Sequence, residues 1–137
     1  QQVTMEHLSA NTTSQQTFHN IVADRGKSTF NGRIHIHAGA RNSNANLSNK
    51  NIGLGANATI NTKPELEIYN DDVSCSHGAT IGQLDNDQLF YLCSRGVDPN
   101  AARQLLCEGF LQQCVGGPLA DSATAGLLEP LQGLSIQ

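Results

Sequence analysis

Over its first 82 residues the chain alternates apolar and polar positions in short stretches. Ile34 and Ile36 are interleaved with Arg33, His35 and His37, and Leu66 and Ile68 with Glu65, Glu67 and Tyr69. A period of two is the mark of a strand with one covered face. Short strands are predicted over residues 29–38, 51–54, 58–62, 66–69 and 73–81, with polar links such as 41–46 between them. No helical pattern intervenes, which leaves an antiparallel sandwich or a solenoid, because parallel strands usually need helical crossovers. Ile34, Ile52 and Ile68 recur at intervals of 18 and 16 positions, a spacing compatible with the coils of a β-helix. Asparagine at the corners suits tight bends, since it tolerates a left-handed backbone and can bond its own main chain.

The periodicity changes after Gly82. Asp85 or Asn86 can cap a helix in which Leu89, Leu92 and Cys93 fall on one face, closed by Gly96 at the position after its end. Asp98 then caps a second helix with Pro99 in its first turn, and Ala102, Leu105, Leu106, Gly109 and Phe110 form a stripe running towards Cys114. The two helices form a hairpin that either caps a β body or docks a partner. The division expected is a β body over 1–82, a helical region over 83–115 and a flexible tail over 116–137.

Composition narrows the choice of function. The 137 residues carry a net charge of -4 and only 15% charged side chains, so the basic surface needed for nucleic acid or anionic lipid is missing. No apolar run approaches the roughly 18 residues of a membrane span. The four cysteines lie 18, 14 and 7 positions apart, without the close pairs of a zinc knuckle. Set within strand and helix patterns, they fit reduced thiols in a cytosol-like compartment.

The segment 71–82 carries the most chemistry. Val73, Cys75, His77, Ala79 and Ile81 share one face of a strand, which puts two soft ligands in an apolar row. Three readings stay open: a buried thiol beside a hydrogen-bonded histidine, half of a metal site, or a nucleophile with its base. His35 and His37 also share a strand face and read as polar surface. His7 and His19 stand alone. No phosphate-binding loop, dinucleotide fingerprint or hydrolase elbow is present.

The run 61–69, then 71–80 with Cys75-Ser76-His77-Gly78, then Leu89-Phe90-Tyr91-Leu92 and Ser94-Arg95-Gly96-Val97, resembles the SufB/SufD family of iron-sulfur cluster assembly proteins. The similarity extends over most of residues 5 to 115, and Gly78 after His77 resembles the SufD branch. It implies a mainly β fold, the C-terminal coils of a right-handed parallel β-helix followed by a small helical hairpin, in a fragment of a longer chain. It further implies a non-catalytic scaffold subunit of a SufBCD complex, cytoplasmic or in the plastid stroma. Its partners would be a SufB-like subunit and a SufC-like ATPase, with homodimer formation as an option in isolation. His77 and Cys75 would lie at the SufB interface, with no stably bound cofactor and a transient iron-sulfur cluster touching His77. Leu89, Phe90, Tyr91, Arg95 and Phe110 would dock SufC. A cysteine-dependent enzyme using Cys75 and His77, and a β-solenoid binding module, are the alternatives.

Overall fold

A computed structural model describes residues 1–114; the expected tail over 116–137 lies outside the described residues. The order is β1 (Gln2–His7), β2 (Thr13–Ala23), β3 (Lys27–Ile36), β4 (Ser43–Leu54), β5 (Thr59–Ile68), β6 (Val73–Gly82), α1 (Asn86–Ser94) and α2 (Pro99–Gln112). The fold is mainly β. Odd strands form one three-stranded sheet in the order β1-β3-β5, and even strands form another in the order β2-β4-β6. The sheets are parallel and open; in β1 and β3, Gln2 lies opposite Asn31 and His7 opposite Ile36, an offset of 29 positions.

That topology explains the spacing of 16 to 18 between isoleucine-centred strands. It is the step from one sheet to the other, and two steps bring the chain back beside its earlier pass. Side chains on neighbouring passes therefore meet about 31 positions apart. Asn20 Nδ2 donates to Asn51 Oδ1 at 2.9 Å and Asn42 Nδ2 to Asn11 Oδ1 at 2.6 Å, each across 31 positions. Asn11 and Asn42 sit in the left-handed region at φ 60° and 53°, as expected of asparagine corners.

Three strand boundaries differ from the periodicity reading. Strands β1 and β2 precede the first predicted strand. Residues 43–46, read as a polar link, begin β4, where Ser43, Ala45 and Leu47 alternate inward and are buried. Ser43 is tolerated there because its hydroxyl meets Thr12 Oγ1 at 2.8 Å. Segments 58–62 and 66–69 belong to the single strand β5, which runs through Pro64. Proline removes one ladder donor, and β5 is an edge strand that can spare it.

The chain divides into two compact units. The first, Gln1–Phe18, Ser28–Lys50 and Ile60–Thr80, is built on buried Phe30, Ile34, Ile36, Ala40, Ala45 and Leu47, with Val3, Phe18, Leu66, Val73 and Cys75 packed against them. The Phe18 and Phe30 rings lie 4.8 Å apart. In the second, the helices join His19–Lys27 and Asn51–Thr59. Its core is Leu54 and Cys107, with Ile21, Ala23, Ile52, Leu84 and Leu111 around them.

The helix ends follow the sequence signals. The Asp85 side chain accepts from the backbone of Asp87 and Gln88, and Asp98 from Asn100 and Ala101, with Pro99 in the first turn. Gly96 adopts φ 90° after α1. The covered face of α2 is rotated from the predicted stripe. Ala102 and Cys107 are its buried positions, whereas Leu105 is 50% exposed.

Candidate functional site

Strand β6 lies at one end of its sheet, so one side of its backbone has no neighbouring strand among the described residues. Such an edge presents unpaired donors and acceptors that can pair with another chain. The predicted row changes character along this strand. Val73 and Cys75 pack against the first unit's core, whereas His77 and Ala79 on the same face are exposed. Cys75 and His77 are therefore neither walled in nor equivalent: the thiol is half-covered and the imidazole is open to solvent. Burial pushes the Cys75 thiol pKa up, partly offset by a backbone hydrogen bond from Ala45. A resting thiol held protonated is a poor nucleophile, which argues against a cysteine hydrolase. It can still bind iron, releasing its proton as the metal arrives. A Cβ built on Gly78 would meet nothing within 4 Å, so its outer side is open as well.

In the second unit, α1 and α2 carry large side chains that their own packing leaves uncovered. Phe90 is 75% exposed and Tyr91 58% exposed, while Leu89 is half-buried. The Arg95 guanidinium carbon sits 5.2 Å from the centre of the Tyr91 ring, a cation–π contact that holds both side chains on the surface. A shallow hollow of about 390 Å³ is lined by Asp87, Gln88, Tyr91, Leu92 and Leu106. Phe110 differs from its companions: it is half-buried, its ring stacked on His19 at 4.5 Å, and its carbonyl lies 2.7 Å from His19 Nδ1. That residue anchors α2 within its unit.

The chain's likeness to known proteins coincides with these elements. The family description "SUF system FeS cluster assembly, SufBD core domain" matches residues 1–110. The chain belongs to the SufBD family. Among curated relatives, the iron-sulfur cluster assembly protein SufD of Escherichia coli is 42% identical over 106 residues, 77% of this chain and 25% of the relative. A SufBD family protein of Synechocystis is 47% identical over 90 residues, 66% of this chain and 20% of its own length. Chloroplastic ABCI7 of Arabidopsis thaliana is 42% identical over 98 residues, 71% of this chain and 21% of the relative. The chain thus spans a fifth to a quarter of these relatives. Among the described residues, no helix is long and apolar enough to cross a membrane.

The remaining histidines of this SufBD chain fall into two kinds. His7 is buried, with Thr12 Oγ1 at 2.6 Å from Nδ1 and Ser14 Oγ at 2.7 Å from Nε2, so both ring nitrogens are engaged. It holds a corner together, as His19 holds α2. His35 and His37, read as plain surface, stack face to face at 4.1 Å beside Glu6, Glu67 and Tyr69. Their spacing within one strand was legible; Glu6, 29 positions upstream of His35, became a neighbour only through the β1–β3 pairing. Cys107 is fully buried in the second core, where burial raises its pKa, and none of the four cysteines is joined in a disulfide.

Proposed function

We propose that this chain is the SufD-type, non-catalytic side of an iron-sulfur cluster assembly interface. The edge of β6 presents Cys75 and His77 to a SufB-like subunit, and the α1–α2 hairpin docks a SufC-like ATPase through Leu89, Phe90, Tyr91 and Arg95. The observation that carries this reading is the placement of β6: an edge strand whose ligand row runs from half-covered Cys75 to exposed His77. A thiol and an imidazole supply two donors, too few to complete a cluster site, so the remaining ligands come from the facing subunit. The nascent cluster is cargo that passes across this edge. A right-handed parallel β-helix is the architecture we assign to the body. Strands that alternate between two parallel sheets, with Asn corners about 31 positions apart, support it.

His77→Ala in a SufBCD-type assembly tests the site. Since His77 is exposed, the change leaves the chain folded, with unfolding free energy altered by no more than about 0.5 kcal/mol. Cluster formation is expected to fall. Wild-type cluster yield in this variant removes His77 from the function.

A further inference from the structure

On the outer face of the β1-β3-β5 sheet, within the first unit, three side chains converge from two strands. Parallel pairing sets Glu6 opposite His35, and the ladder continues one step past β3, where the His37 backbone donates to the His7 carbonyl at 3.0 Å. His35 and His37 are two positions apart and so project on the same side. One donor atom from each of Glu6, His35 and His37 lies within 4.8 Å of the others. We propose that Glu6, His35 and His37 bind a single divalent first-row transition-metal ion of the zinc type, at a site separate from Cys75 and His77.

Two further observations point the same way. First, His37 Nε2 is itself screened from solvent, although the side chain as a whole is 40% exposed, and it makes no hydrogen bond among the described residues; Glu6 Oε2 is 3.9 Å away. That distance is too long for a hydrogen bond, and an unpaired buried nitrogen is costly. An ion between the two groups satisfies both. Second, a carboxylate stands behind His35: Glu67 Oε2 is 3.8 Å from Nδ1, beyond hydrogen-bond reach as it stands, and a small turn of the ring would let Nδ1–H donate to it while Nε2 takes an ion. Glu67 is itself held, accepting from the Tyr69 hydroxyl at 2.6 Å and from Arg33 Nη1 at 3.4 Å.

The donor set selects the ion. Two imidazoles and a carboxylate suit zinc, nickel, copper or ferrous iron, whereas calcium and magnesium prefer oxygen throughout. Metal–nitrogen bonds of about 2.0–2.1 Å require the donors to close in from their present spread. The stacked rings, 3° from parallel, permit this by turning about the soft torsion between Cβ and the ring. Three protein ligands leave a coordination position open for exchange.

Zinc titration of the full chain, followed through the ring nitrogens by ¹H–¹⁵N NMR, tests the assignment. One saturable equivalent is expected to shift the His35 and His37 signals and leave those of His7, His19 and His77 in place. Affinity measured by calorimetry should fall at least about tenfold in His37→Ala and His35→Ala, since even supporting partners are worth about 10–100-fold. It should be unchanged in Cys75→Ser, which separates this site from the thiols. The proposal is overturned if zinc moves no histidine signal, moves only those outside the cluster, or binds His37→Ala as tightly as the parent. The wild-type spectrum decides the matter even where a variant fails to fold.

Discussion

Phe90→Ala separates docking from folding. In α1 this residue leaves 75% of its surface exposed, so truncating it removes little that the fold uses, and unfolding free energy should change by no more than about 0.5 kcal/mol. Covering a phenylalanine completely is worth about 1.5–3 kcal/mol, and the share still open here corresponds to about 1–2 kcal/mol, or roughly five- to thirtyfold in Kd. Phe110→Ala is the contrasting control. That ring is stacked on His19 at 4.5 Å, and removing it should cost about 1–3 kcal/mol of stability by loosening α2. The assay pairs calorimetric titration against a SufC-type ATPase with urea unfolding of each variant. Phe90→Ala is expected to lose affinity with its urea midpoint unchanged, whereas Phe110→Ala shifts the midpoint. An unaltered Kd for Phe90→Ala, or a midpoint that falls as far as that of Phe110→Ala, refutes this expectation.

Other outcomes follow from the packing and the thiols. Gly32→Ala would place its Cβ 2.7 Å from Phe30 Cε1 and 2.8 Å from Leu47 Cδ1, inside ordinary contact distance. Both neighbours are buried, so thermal unfolding should show a loss of about 1–3 kcal/mol, and an unchanged melting temperature would mean that this core is looser than described. Burial raises the pKa of Cys75 and Cys107, so at neutral pH each carries less thiolate than a free cysteine. Alkylation of the native chain, followed by mass spectrometry against pH, should therefore modify Cys75 and Cys107 more slowly than a model thiol until the pH is well alkaline. Fast labelling of Cys75 at neutral pH would revive the cysteine-enzyme reading. Because folded Cys107 holds its proton more tightly than the unfolded chain, its contribution leaves stability flat below the ordinary thiol pKa and lowers it as pH rises above.

What the sequence made legible was whatever depends on near neighbours. The caps at Asp85 and Asp98, Pro99 in a first turn, Gly96 at a helix end and the alternation around Ile34 are written within a few residues and reappear in the structure. What it hid depends on the next pass of the chain. Ser43 through Asn46 look like a link because serine and asparagine rarely favour strands. They join β4 because partners about 30 positions away satisfy them, Thr12 for Ser43 and Ser76 for Asn46. Pro64 hid the continuity of β5, since a local reading cannot tell an edge strand from a central one. Leu105 and Cys107 exchanged places because either face of α2 offers an apolar stripe, and the small thiol fits the gap among Ile21, Ile52 and Leu54. The same limit applies to the candidate sites. Cys75 and His77 stood out as a local pair, whereas the Glu6–His35–His37 cluster required knowing which strands are neighbours.

Hydrogen–deuterium exchange across β6, with and without a SufB-type subunit, tests the central claim most directly. Its outward amides between Val73 and Gly82 lack a strand partner among the described residues, so in the isolated chain they should exchange quickly. Mixing with the subunit should slow exchange along this strand, centred on Cys75 and His77. Stable complex formation with β6 exchanging at its free rate would contradict the account.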